Sequence, residues 1–142
     1  MRGFLLAIVL FGCVISLAAP FSVGILITGE IGGNAIYELV QQGAQRAAGD
    51  AIEIRIVEGG YNQSKWEPLL LSMAATGKYD LIMTFTEGMP ASVAKVARAF
   101  PNQKFVLLDG IVPEPLPNVY SVAFKDDEMT FLAGVLAGMI TT

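Results

Sequence analysis

The sequence predicts an α/β fold: a doubly wound parallel sheet with strand order 2-1-3-4-5. Three observations lead there. Apolar runs of strand length alternate with segments of helical period along most of the 142 residues. The connections between them are short. Two of the runs, Asp80–Thr86 and Lys104–Leu108, flank one helical segment and turn polar abruptly at their carboxyl ends, as a parallel βαβ unit does.

The chain opens with Met1-Arg2 and an apolar run from Phe4 to Leu17. Ser16-Leu17-Ala18 places small residues where a signal peptidase needs them, and Pro20 closes the run. Residues 1–18 are expected to be a secretory signal, with 19–142 as the mature domain. The run is short for a membrane span. Cys13 is the single cysteine, within Leu10-Phe11-Gly12-Cys13. This loosely resembles a lipidation motif, although Phe11 is bulky for one. The expected location is exported, periplasmic or cell-envelope associated, with a lipid anchor on Cys13 as the alternative. About 124 residues then remain, enough for one core.

Phe21–Thr28 is the first strand, and Thr28–Asn34 forms a glycine-rich loop before a helix over 35–48. Ile36, Leu39, Val40, Ala44 and Ala47 mark that helix's expected inner face. Residues 52–58 alternate apolar and charged, which suits an edge strand. Ser64 and Glu67 have capping-box spacing at the start of a helix over 64–76. The central βαβ unit follows, with its helix over 91–100 ended by Pro101-Asn102. Pro113, Pro115 and Pro117 stiffen the connection to a fifth strand over 118–124. Asp126-Asp127-Glu128 lead a last helix to Ile140. Its Gly134 and Gly138 have the spacing of a membrane dimer motif, but the run is short for a bilayer, so close packing of helix on sheet is expected.

In open parallel sheets, ligands bind beyond the carboxyl ends of the strands. That rule selects Gly29 and Asn34 after the first strand, Phe85, Thr86 and Glu87 after the third, and Asp109 and Gly110 after the fourth. Tyr37, one turn into the first helix, can stack on a planar ligand or fill the core. Asp109 can accept hydroxyl hydrogen bonds or serve as a turn aspartate, with Gly110 supplying the turn's φ. Trp66 and Tyr61 are expected to pack in the core, and Lys95 and Arg98 to face solvent.

Composition narrows the function. The formal net charge is −4 and no basic stripe occurs, so nucleic-acid binding has no electrostatic basis. Histidine is absent, which removes the commonest general base and metal ligand. The glycine loop has neither Walker A nor dinucleotide spacing. Glu30, Glu87 and Asp109 invite an acidic cluster for magnesium or a phosphoacceptor, but an exported chain meets no cytosolic phosphodonor. No enzyme, cofactor or metal site is expected. A flavodoxin-like enzyme or phosphoacceptor domain is the distant alternative.

Four segments occur together: Tyr61-Asn62-Gln63-Ser64-Lys65-Trp66; Gly77-Lys78-Tyr79-Asp80-Leu81-Ile82; Phe100-Pro101-Asn102-Gln103-Lys104-Phe105 with Leu108-Asp109-Gly110; and Phe131-Leu132-Ala133-Gly134-Val135-Leu136-Ala137-Gly138. With them the chain resembles the basic membrane protein family, the purine-nucleoside-receptor-like solute-binding proteins of ABC importers. The resemblance implies a periplasmic-binding-protein type I fold of two lobes, with this chain as the N-terminal one. It implies a nucleoside or riboflavin-like ligand between the lobes and a membrane ABC permease as partner. Nucleoside receptors of the family commonly carry Asp-x-x-Phe-Asn after the first strand. Here Asn34-Ala35-Ile36-Tyr37-Glu38 keeps only an aromatic, so purine preference is open. The second lobe is absent from these residues, and a truncated, non-binding fragment is the alternative reading.

N-terminal sequencing of the exported product is expected to start at Ala19. A lipidated Cys13 at the first position would move the cleavage site, and an intact Met1 in the cytoplasm would contradict export.

Overall fold

The computed structural model describes residues 19–141. The expected leader and Cys13 lie outside the described residues. Five strands, β1 (Phe21–Ile27), β2 (Ile52–Glu58), β3 (Leu81–Phe85), β4 (Lys104–Leu108) and β5 (Val119–Val122), form one sheet in the order β2-β1-β3-β4-β5. Every neighbouring pair is parallel. The helices are α1 (Ala35–Ala48), α2 (Trp66–Ala75), α3 (Pro90–Ala99) and α4 (Asp126–Ile140). The fold class and the strand order agree with the sequence reading, including β2 at an edge with its alternating exposure.

Period-two alternation sends the strand residues to two unequal layers. Leu26, Ile82, Phe105 and Leu107 face α2 and α3 in the larger core, with Leu70, Met73, Val93 and Val96 from the helices. Gly24 lies on the same face. A Cβ there would come 2.8 Å from Met73 Cε and 2.9 Å from Tyr79 Cδ1, so glycine lets α2 approach β1. On the other face Val23, Ile25, Ile27 and Phe85 form a smaller cluster under α1.

Side chains tie the layers together. Thr84 Oγ1 donates to Leu26 O across β3 and β1, which satisfies a buried hydroxyl. Asp80 accepts from Ser22 N at 2.7 Å and registers the start of β1 against the approach to β3. Asn118 Nδ2 lies 3.0 Å from Ala97 O, 3.1 Å from Phe100 O and 3.0 Å from Gln103 O. One amide thereby satisfies carbonyls at the end of α3 and fastens that end to β5. Lys95 pairs with Glu67 and Arg98 with Glu114 across exposed surfaces.

Several expectations change. The capping box at Ser64 does not form: Asn62 accepts from both Ser64 N and Ser64 Oγ, and a 3-10 turn, Gln63–Lys65, precedes α2. The shorter Asn62 side chain closes a local turn before Glu67 can reach back. Ile36 and Leu39 are exposed, since α1 covers β1 and β2 only through Tyr37, Val40 and Ala44. Tyr61 is 66% exposed rather than in the core. A Cβ at Gly134 or Gly138 of α4 would meet no atom within 4 Å apart from the helix's own nearby backbone, and no residue of α4 is buried. Helix-on-sheet packing is therefore not its role among the described residues. No helix among them is long and apolar enough to cross a membrane.

Replacing Asn118 with Ala leaves the end of α3 short of donors. Urea unfolding followed by Trp66 fluorescence is expected to show a loss of about 1–3 kcal/mol. A loss under about 0.5 kcal/mol would mean water replaces the amide fully.

Candidate functional site

Parallel pairing brings the carboxyl ends of β1, β3, β4 and β5 to one edge, and the loops beyond them form a crest. Its backbone is under strain at two places. Thr86 has φ 86° and Asp109 has φ 58°; among the described residues they alone adopt positive φ without being glycine. A β-branched residue rarely does so. Both sit one position past a strand end, where the ladder continues beyond the strands: Thr86 N donates to Leu108 O at 3.0 Å, and Asp109 N to Val122 O at 2.7 Å. Thr86 Oγ1 then accepts from Gly88 N, and Thr86 O from Met89 N, which closes the turn into α3. Strained residues held this way concentrate at functional sites.

The positive φ belongs to Asp109 itself, not to Gly110. Gly110 is needed for space: a Cβ there would come 3.2 Å from Thr86 O. Gly29 is likewise a packing glycine. Its Cβ would meet Tyr37 Cε2 at 2.4 Å and Tyr61 Cε1 at 3.0 Å, so the ring of Tyr37 lies over the loop. Tyr37 Oη is 3.2 Å from Thr28 Oγ1 at the end of β1, which fixes the ring's tilt. Asn34 caps α1, accepting from Ile36 N and Tyr37 N through Oδ1. Its amide nitrogen takes no part in this cap.

Two cavities flank Asp109. The first, of about 360 Å³, is lined by Asn34, Ile36, Tyr37, Val40, Phe85, Thr86, Leu108, Asp109 and Phe124. It brings together five residues selected from the sequence: Asn34, Tyr37, Phe85, Thr86 and Asp109. Phe85 is only 7% exposed, so it offers an edge from the core. The second, of about 290 Å³, lies among Glu87, Pro90, Asp109, Gly110, Ile111, Ala123, Phe124 and Asp126. Glu87 and Gly110 fall here, and Gly29 in neither. Glu30 also stays outside, so the acidic trio does not assemble. Among the described residues no group of three or more Cys, Asp or Glu is placed to hold a metal ion.

The sequence reading missed Ile36, Ile111 and Phe124. They are 70%, 66% and 64% exposed, and each lines a cavity. Exposed apolar residues grouped at the strand-end crest were the available signal. Chemically, the first cavity pairs aromatic surface with a carboxylate and two hydroxyls. It can hold a flat, partly apolar molecule that also carries hydrogen-bonding groups. No acid–base pair or nucleophile is poised there.

Larger cavities lie elsewhere among the described residues. One of about 590 Å³ opens at the opposite end of the sheet, between Phe21, Tyr79, Asp80, Phe100 and Lys104. One of about 370 Å³ lies under α1, with a lining of Val, Ile, Leu, Met, Phe, Ala and Gly. The first is remote from the strand carboxyl ends, and the second lacks polar groups to orient a ligand.

A sequence profile described as ABC transporter substrate-binding protein PnrA-like matches residues 21–142. An uncharacterised lipoprotein of Pyrococcus horikoshii is 27% identical over 120 residues, covering 82% of this chain and 29% of that protein. The CD4+ T-cell-stimulating antigen of Listeria monocytogenes is 29% identical over 119 residues, covering 80% and 33%. The crystal structure of an ABC transporter system solute-binding protein from Aeropyrum pernix superposes with a TM-score of 0.73 at 29% identity, covering 82% of this chain and 32% of that one. A solute-binding protein from Conexibacter woesei shares the fold at 22% identity, with a TM-score of 0.59 over 71% of this chain and 34% of that one. The chain spans about a third of the length of each of these four proteins.

Strain at Thr86 is testable without a ligand. Thr86→Gly and Thr86→Ala both lose the bond to Gly88 N, but only glycine relieves the left-handed φ. The glycine variant is expected to be more stable than the alanine variant by about 1 kcal/mol in chemical denaturation. Equal stabilities would show that the turn carries no strain.

Proposed function

Because the chain belongs to the PnrA-like substrate-binding proteins of ABC transporters, we propose that it is the N-terminal lobe of an extracytoplasmic receptor holding a nucleoside- or riboflavin-like ligand. The family is one of binding proteins, not enzymes, and its members work with a small-molecule ligand and a membrane permease. The finer reading rests on one observation: the cavity of about 360 Å³ joins Tyr37 and Phe85 to Asp109 at the strand-end crest. Tyr37 offers a ring for a heterocycle, and Asp109 accepts from sugar or ribityl hydroxyls. Asn34 and Thr86 supply polar contacts beside them. Glu87 and Gly110 border the adjoining cavity, while Gly29 acts indirectly by seating Tyr37.

The crest residues support a site completed by a second surface. Ile36, Ile111 and Phe124 stand exposed around it, and apolar groups grouped in this way mark a surface that becomes covered. A ligand held between two lobes loses most of its contact with water, which strengthens each hydrogen bond to Asp109. The names of the Pyrococcus horikoshii relative and others of its kind describe lipoproteins. They support export with a lipid anchor, for which Cys13 is this chain's one candidate.

The ligand is identified by mass spectrometry of small molecules copurifying with a receptor that carries both lobes. In that receptor Asp109→Ala is expected to weaken binding by about 1.5–3 kcal/mol, as for a charge-assisted hydrogen bond. Tyr37→Ala is expected to weaken it through lost ring contact, with both variants folded. Calorimetry showing unchanged affinity for either variant would remove that residue from the site.

A further inference from the structure

We infer that Phe124 is a specificity-determining residue of this site, forming a third aromatic wall that selects ligands with a planar heterocycle. The inference rests on the receptor reading above and adds a residue outside the strand-end and first-helix positions. Phe124 lies on the link Ala123-Phe124-Lys125 between β5 and α4. It belongs to neither core cluster and is 64% exposed. Both cavities beside Asp109 nevertheless include it in their lining.

Its place follows from strand geometry. Phe124 lies two residues past the end of β5, and the cavity it lines with Tyr37 and Val40 sets it on the α1 side of the sheet. That face already carries Leu108 of β4 and Phe85 of β3 at the crest. The backbone just before Phe124 is pinned to the polar centre of the site, because Val122 O accepts from Asp109 N at 2.7 Å. A ring at 124 is thereby held in register with the Asp109 carboxylate. Tyr37 bounds the same cavity from α1 and is itself fixed by Thr28.

This arrangement discriminates by shape. A flat ring entering between Tyr37 and Phe124 covers two aromatic surfaces, while its sugar hydroxyls meet Asp109. A free sugar uses Asp109 alone and leaves both rings wet. Aromatic contact thus adds affinity only for ligands that carry a heterocycle. Because Phe124 is exposed and outside the core, truncating it does not open a core cavity, and the fold is expected to persist.

The test is an NMR titration of a receptor that carries both lobes with adenosine, with riboflavin and, separately, with ribose, each to millimolar concentration. Adenosine is expected to shift the Asp109 amide and the Phe124 ring signals. Ribose is expected to shift Asp109 and leave the Phe124 ring unmoved. Phe124→Ala should weaken adenosine roughly fivefold to tenfold, leave ribose unchanged and keep the thermal midpoint, while Phe124→Tyr should restore adenosine binding. Equal adenosine affinity in wild type and Phe124→Ala, with Asp109 still shifting, overturns the inference and leaves the receptor reading standing. An Asp109 amide unmoved by adenosine, riboflavin and ribose alike overturns the nucleoside- or riboflavin-like reading and this inference with it.

Discussion

Parallel pairing continued past the strand ends is the constraint on which the site depends. Hydrogen bonds from Thr86 N to Leu108 O and from Asp109 N to Val122 O extend the ladder into what would otherwise be loop. Each is donated by a non-glycine residue at positive φ. The favourable ladder bond and the unfavourable torsion oppose one another at the same residue. The result is a crest whose side chains are placed by the sheet rather than by loop packing. Asp109, Thr86 and Phe124 all take their positions from this one edge.

Much of that edge is legible in the sequence. Apolar runs with polar ends locate β3 and β4, and the alternating run at 52–58 identifies the edge strand, because these patterns follow from burial alone. The cavity beside Asp109 was legible to the extent that it follows from strand ends. What pattern cannot supply is the competition among local partners. Asn34 reads as a ligand group, but its Oδ1 is taken by the N-terminus of α1. Ser64 and Glu67 read as a capping box, but Asn62 reaches Ser64 first. Gly29 reads as a ligand contact beyond the first strand, and its absent side chain is instead the seat of the Tyr37 ring. Phe124 was absorbed into the pattern of a fifth strand that ends at Val122.

The two faces of the sheet are unequal in a way that composition hides. The α2–α3 side holds most of the buried residues, and α1 alone serves the other side without burying any residue of its own. Parallel sheets ordinarily have both faces covered. Here α1 lies over β1 and β2, and Tyr120 of β5 on that face is exposed. The core that holds the crest in place is thus the α2–α3 layer, closed at its far end by Asn118.

Helix α4 belongs to neither layer, and this affects how the domain melts. It has no buried residue and no side-chain cap, and it contains Gly134 and Gly138. A helix of this length that buries none of its residues draws little support from a core, and each interior glycine costs it about 1 kcal/mol relative to alanine. Among the described elements its ellipticity is therefore expected to decline at lower temperature than that of the sheet. Amides of 129–140 exchange with solvent at rates set by helix fraying, decoupled from the slow exchange of β1, β3 and β4.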